Sequence, residues 1–276
     1  MTRHRACKHP PMTEIRKILD LEEFPLDQPG SAAWRALVAR CKADLTAHGM
    51  FNLTGFLRAE IAAEVAAQFT PMFETDAFRH IRSHNIYFRR EIEGLDPNHP
   101  ALTEFETSNQ TLCADQFADG PLLAMYEWPE FATFLATVMD KPALYTMSDP
   151  LARVNAMSYR TGQALNWHFD RSEFTTTLLL QAPEKGGAFE YRTGLRSAED
   201  PNYDGVAAML RGEDDQVQRL TLTPGTLNVF KGRNTAHRVT PVEGHKERMI
   251  AVFSFYEAPG VAFSDEERIG FYGRAR

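Results

Sequence analysis

The chain has 276 residues, with 30 Lys and Arg against 37 Asp and Glu, giving a formal charge of −7. This acidic balance gives no electrostatic reason to bind nucleic acid or an anionic membrane, and 43% hydrophobic with 24% charged residues excludes wholesale disorder. No run reaches the roughly 18 apolar residues of a membrane span, and Cys7, Cys41 and Cys113 lack the spacing of a disulfide framework or thiolate zinc site.

The opening MTRHRACKHPPM lacks the apolar stretch and cleavage site of a secretory leader, so a cytoplasmic, soluble protein is expected. Ser31 can cap a helix with Trp34, Leu37, Val38, Cys41 and Leu45 on its inner stripe, ending at Gly49. A second helix runs from Arg58 to Phe69 and is stopped by Pro71. A third begins near Trp128, with Pro129 in its first turn, and ends at Lys141-Pro142. From about Leu151 the pattern becomes short β-rich runs: Ala152–Tyr159, Phe174–Gln181, Ala188–Tyr191, Val217–Leu222, Thr226–Phe230, Ala236–Thr240 and Met249–Tyr256. Turn signals separate them, which indicates an antiparallel sandwich or barrel supported on one side by helices. No linker divides the two halves, so one domain spanning 1–276 is expected.

The chemistry concentrates in Asn166-Trp167-His168-Phe169-Asp170 and Asn234-Thr235-Ala236-His237-Arg238-Val239. In a strand, residues i and i+2 share a face, so His168 and Asp170 project together. His237 from another strand would complete two imidazoles and a carboxylate on one face of a metal, the pattern of non-haem Fe(II) oxygenases. The bland alternative is two core histidines and a surface aspartate. Arg248 follows His237 by eleven residues. It either clamps a carboxylate from a buried position or pairs with Glu243 or Glu247 at a strand edge.

Together, Tyr159 and Gly162, His168 and Asp170, Gly186-Gly187, His237 and Val239, then Arg248 resemble the 2-oxoglutarate/Fe(II)-dependent dioxygenases of the prolyl-hydroxylase-like type, over residues 151–257. The run His168-Phe-Asp-Arg-Ser-Glu-Phe174 and the closing Phe271-Tyr-Gly-Arg274 resemble the smaller group that hydroxylates or halogenates free amino acids. The resemblance implies an α+β fold: a double-stranded β-helix, or jelly-roll, core at 151–257. A mainly helical support and lid at 1–150 packs against it, and a C-terminal extension spans 258–276. It implies Fe(II) held by His168, Asp170 and His237, with 2-oxoglutarate and O2 as cosubstrates. Arg248 would hold the distal oxoglutarate carboxylate. Position 250 is Ile where the family often has Ser, so a hydroxyl partner is sought in Tyr159 or Ser254.

In halogenases of this group the carboxylate ligand is replaced by a small residue, which leaves room for chloride; Asp170 therefore favours hydroxylation. The substrate is expected to be a small polar molecule, a free amino acid or derivative. Arg171 and Arg153 suggest an acidic one, with Arg82, His84 and Tyr272 as further candidate contacts. The bland reading of Arg171 is a solvated side chain, and that of the segment Arg79–His84 is a solvated helix or loop. Two alternatives remain at this point: a peptidyl side-chain hydroxylase and a non-enzymatic metal-binding jelly roll. A zinc hydrolase finds no H-E-x-x-H.

Overall fold

The computed structural model describes residues 11–117 and 119–276; the opening residues 1–10, on which Cys7 and most of the leader reading fall, lie outside them. The helix Ala32–His48 starts where Ser31 Oγ accepts from Trp34 N and ends at Gly49, whose φ of 70° is the left-handed cap that glycine tolerates. The helix Ala59–Thr75 runs through Pro71 instead of stopping before it. Proline there costs about 3 kcal/mol. Continuation buries Phe73 edge-on against Phe69 at 6.3 Å, a gain of comparable size. The third expected helix is present as Pro129–Val138.

A seven-stranded antiparallel sheet has the order Met50–Leu53, Leu227–Phe230, Thr175–Gln181, Arg248–Phe253, Val154–Tyr159, Phe105–Cys113, Phe78–His84. A four-stranded antiparallel sheet has the order Gln218–Leu220, Phe189–Arg192, Ala236–Val239, Leu165–His168. Three strands of the large sheet therefore come from the half expected to be mainly helical. Arg79–His84 is neither helix nor loop; it lies in the edge strand Phe78–His84, paired with Phe105–Cys113. The hydrophobic pattern conceals that pair because its Thr107, Asn109 and Thr111 are polar yet buried.

Strand alternation divides the large sheet into two faces. Met249, Ala251 and Phe253 join the main core with Leu37, Phe69, Phe131 and other helical residues. Ile250 faces the other way and packs with Tyr159, Leu179, Val242 and Leu165, the last from the small sheet. A second inter-sheet cluster joins Met50 and Phe230 to Phe189. The helices thus cover one face, and the small sheet covers the other.

The C-terminal helix Asp265–Tyr272 opens with a Ser264/Glu267 capping box. It is tied down by Asp149, whose fully buried carboxylate accepts from Arg268 Nε at 2.8 Å and from the amides of Leu151, Ala152 and Phe263.

Candidate metal centre

His168 ends one strand of the small sheet and His237 lies in its neighbour, the two residues directly opposite in register. Their rings lie 4.1 Å apart. Asp170 is just beyond the strand end, with its backbone amide bonded to the Gly232 carbonyl at 3.1 Å. This turn places Asp170 Oδ1 3.4 Å from His168 Nε2 and Oδ2 3.4 Å from His237 Nε2. The three ligand atoms lie within 4.8 Å of one another.

The ring tautomers follow from the backbone. His168 Nδ1 faces the Asn166 carbonyl at 2.8 Å and His237 Nδ1 faces the Thr235 carbonyl at 2.9 Å. A carbonyl only accepts, so each Nδ1 carries the proton and each Nε2 turns a lone pair toward Asp170. That is the arrangement a metal needs from neutral imidazoles. Burial, and then the neighbouring His168, push the His237 pKa down to about 4. Burial alone would raise that of Asp170, but the two histidines and Thr175 hold it well below the carboxylate range.

Two residues outside the sequence expectation fix Asp170. Thr175 donates its hydroxyl to Oδ2. Gly232 lies so close that a Cβ there would fall 2.4 Å from Oδ2. Thr175 follows Asp170 by five residues and Gly232 precedes His237 by five. The sequence signal was the Lys231-Gly232 turn, which reads as a connection and not as a support for a ligand.

Arg248 is 5% exposed, directly opposite Tyr159 across the large sheet. Glu247 points to Arg160, so it does not neutralise Arg248. Arg248 Nη1 and Tyr159 Oη are both buried and, among the described residues, find no hydrogen-bond partner. Burial lowers the Arg248 pKa to about 10 and raises that of Tyr159 to about 12. An unpaired buried guanidinium beside an unpaired phenol is costly unless a carboxylate joins them. The double glycine makes room for the arginine: a Cβ on Gly187 would meet Arg248 Cδ at 3.1 Å. The donor set of two imidazoles and one carboxylate fits Fe(II), and the orphaned Arg248/Tyr159 pair fits the distal end of 2-oxoglutarate.

The other candidates lie elsewhere. Ser254 is six residues along the strand from Arg248, about 20 Å away, and its hydroxyl donates to the Ala152 carbonyl at 3.2 Å. It cannot share a carboxylate with Arg248. Arg153 is ion-paired to Glu127 at 2.7 Å. The Arg171 side chain is 80% exposed and leans on the C-terminal helix, 3.5 Å from Glu267 and over Phe271. The Tyr272 hydroxyl donates to Asn155 Oδ1, and its ring packs that same helix onto Cys113 and Leu151. His84 is close, its ring centroid 6.4 Å from that of His168. Both of its nitrogens are committed, however: Nδ1 donates to the Asn85 carbonyl and Nε2 accepts from Thr107 Oγ1. Arg82 sits over Phe88, whose ring lies 6.1 Å from His168.

The family Halogenase D matches residues 103–262, more than half of the chain. A comparison with curated proteins finds no match. Among solved structures, the chain is similar to the epimerase SnoN in complex with Fe3+, alpha ketoglutarate and nogalamycin RO. The two are 14% identical with a TM-score of 0.54, over 80% of this chain and 84% of that one. It is also similar to AviO1 from Streptomyces viridochromogenes Tue57, at 14% identity and a TM-score of 0.51, over 81% of this chain and 96% of that one. A 2OG-Fe(II) oxygenase family oxidoreductase from Burkholderia pseudomallei is 13% identical with a TM-score of 0.49, over 85% of this chain and 94% of that one. At such identities the structural likeness speaks to fold alone. With its His-Asp-His centre, the chain belongs to the halogenase D family and is a 2-oxoglutarate-dependent Fe(II) oxygenase.

Proposed function

We propose that this enzyme hydroxylates a small polar molecule, a free amino acid or close derivative, on a double-stranded β-helix core. The observation that carries the reading is Asp170, whose carboxylate lies 3.4 Å from both histidine Nε2 atoms, in the position a halide would have to take. The family is named for halogenation, so this side chain favours hydroxyl over halogen transfer here.

In this reading His168, Asp170 and His237 hold Fe(II). Arg248 and Tyr159 hold the distal carboxylate of 2-oxoglutarate in the apolar pocket of Leu179, Val242 and Ile250. Bound together, iron and 2-oxoglutarate supply the O2-activating chemistry: one oxygen atom ends in the substrate alcohol and the other in succinate, with CO2 released. The chain's own part is positional. The Asn166 and Thr235 carbonyls keep both Nε2 lone pairs turned to the metal. Thr175 and Gly232 set the carboxylate, and the apolar pocket keeps water from the Arg248 charge.

The test incubates Fe(II)-loaded protein with 2-oxoglutarate, O2 and pooled polar metabolites in high chloride, with products read by mass spectrometry. Succinate together with products heavier by one oxygen atom supports hydroxylation; chlorinated product overturns it. His237→Ala should lose iron binding and turnover together.

A further inference from the structure

We propose that Arg196, with Arg89 and Arg233 beside it, forms a subsite at the rim of the metal centre for an anionic group on the substrate's side chain, a carboxylate or a phosphate in addition to any α-carboxylate. The proposal rests on the oxygenase reading above and adds the substrate's charge to it.

The first observation is an exception among the arginines. Among the described residues, eight arginines are half-buried. Seven of them (Arg58, Arg153, Arg160, Arg192, Arg238, Arg268 and Arg274) have a carboxylate within 4.0 Å. Arg196 has none. Among the described residues one arginine is buried, Arg248; it is also unpaired, and in the reading above it holds the cosubstrate. In a chain with 37 acidic against 30 basic residues, composition does not explain an arginine left without an acid.

The second observation is how Arg196 is held. Its Cζ lies 3.9 Å above the Phe169 ring and 5.8 Å from that of Tyr87. Its Nε donates to the Arg233 carbonyl at 2.8 Å. These contacts use the flat face and one edge of the guanidinium, while its two terminal nitrogens make no hydrogen bond to described residues. That is a fixed fork, and a fixed fork matches a carboxylate or phosphate edge. Arg233, whose carbonyl holds Arg196 Nε, directly follows Gly232, whose carbonyl is bonded to Asp170 N at 3.1 Å, so the fork is tied to the segment that seats a metal ligand.

The third observation is the surrounding charge. Burial first, then the positive charges of Arg89 and Arg233, depress the Arg196 pKa, while Tyr87 and the ligand Asp170 oppose them. Arg233 uses two nitrogens on the Arg171 carbonyl and, among the described residues, has no carboxylate partner. Arg89 is exposed and, among described residues, unpaired. The acids on the adjoining loop are engaged in its turns: Glu199 accepts from Ser197 Oγ and Asp200 from Asn202 N. The charges of Arg89 and Arg233 both act on Arg196, and among the described residues none of the three has a carboxylate within 4.0 Å, so an incoming anion would relieve both their repulsion and the isolation of Arg196.

The test measures succinate release with Fe(II), 2-oxoglutarate and, in turn, glutamate, aspartate, O-phosphoserine, glutamine and lysine. The anionic members should drive turnover, and the phosphate and carboxylate arms show which group the fork takes. Arg196→Gln should raise KM for the preferred anion at least about tenfold while kcat stays within about threefold, the signature of lost binding. A preference for lysine or glutamine, or a KM unmoved by the substitution, overturns the subsite. If no compound releases succinate, the same five are titrated calorimetrically into iron-free protein. Binding of glutamate, aspartate or O-phosphoserine that Arg196→Gln weakens tenfold would then uphold the subsite while the oxygenase reading falls. Absence of such binding overturns the subsite.

Discussion

Gly232→Ala would test the metal centre with a single methyl group. The added Cβ would fall 2.4 Å from Asp170 Oδ2, 2.6 Å from Thr175 Oγ1 and 2.9 Å from Asp170 Cβ. The φ of Gly232 lies outside the left-handed region, so alanine carries no backbone penalty there and the perturbation is steric. A carbon–oxygen contact relaxes only near 3.5 Å, so the carboxylate must retreat by about 1 Å. Asp170 N is bonded to the Gly232 carbonyl at 3.1 Å, which prevents the two segments from simply sliding apart. Metal–ligand distances tolerate about 0.2 Å, and disturbing the groups that orient ligands costs about 10–100-fold in affinity. Metal affinity should fall within that range, by about 1.4–2.7 kcal/mol. Co(II) titration followed by visible absorption measures the loss, and circular dichroism of the metal-free variant checks that it is folded. A folded variant with wild-type affinity would refute the claim that Gly232 seats the ligand carboxylate.

Arg248→Ala removes a charge from a dry pocket and should raise the 2-oxoglutarate requirement more than about tenfold, consistent with about 2–5 kcal/mol for truncating one partner of such a pair; an unchanged titration would move the role to another basic residue. Asp149→Ala leaves Arg268 and three backbone amides without their acceptor and should cost about 3–5 kcal/mol of stability by denaturant unfolding. Burial opposes ionisation of Asp149, but Arg268 and the amides win and hold its pKa below the ordinary 3.8. Its contribution should therefore be complete above pH 3.8 and vanish as pH falls through the folded value, so the wild-type advantage over Asp149→Asn should shrink in acid.

The central strands Thr175–Gln181 and Arg248–Phe253 announced themselves, and the pair Phe78–His84 and Phe105–Cys113 did not. The difference is what each strand faces. Residues such as Leu178, Leu180, Met249 and Ala251 pack against helices, so hydrophobicity marks them. Thr107, Asn109 and Thr111 are buried but polar, partly to hold one another and His84, and a polar run in sequence looks like a loop. Spacing located Arg248 because its distance from His237 is set by one turn and two strands. Spacing could not locate the rim. Arg171 follows a ligand in the chain yet leans on the C-terminal helix, whereas Arg196 lies 26 residues beyond Asp170 and reaches the ligand segment by stacking on Phe169 and bonding the Arg233 carbonyl. Nothing local to either residue distinguishes them, because the answer depends on which loops meet at the sheet ends.

Arg248 and Arg196 also differ in how they should respond to salt. Arg248 is 5% exposed between two sheets, so mobile ions cannot enter the space where its partner would lie. Arg196 is half-buried and its companions Arg89 and Arg233 are exposed, so ions reach the rim freely. The screening length shortens from about 10 Å at 0.1 M to about 3 Å at 1 M. Raising ionic strength across that range should leave the 2-oxoglutarate requirement within about twofold, because a buried charge pair is screened little. The KM of an anionic substrate should rise several-fold over the same range, and that rise should be smaller in Arg196→Gln, where one of the three charges is gone. Equal salt dependence for cosubstrate and substrate would mean that the two anions bind in the same dielectric, and the rim subsite would then have to be abandoned for one deeper between the two sheets.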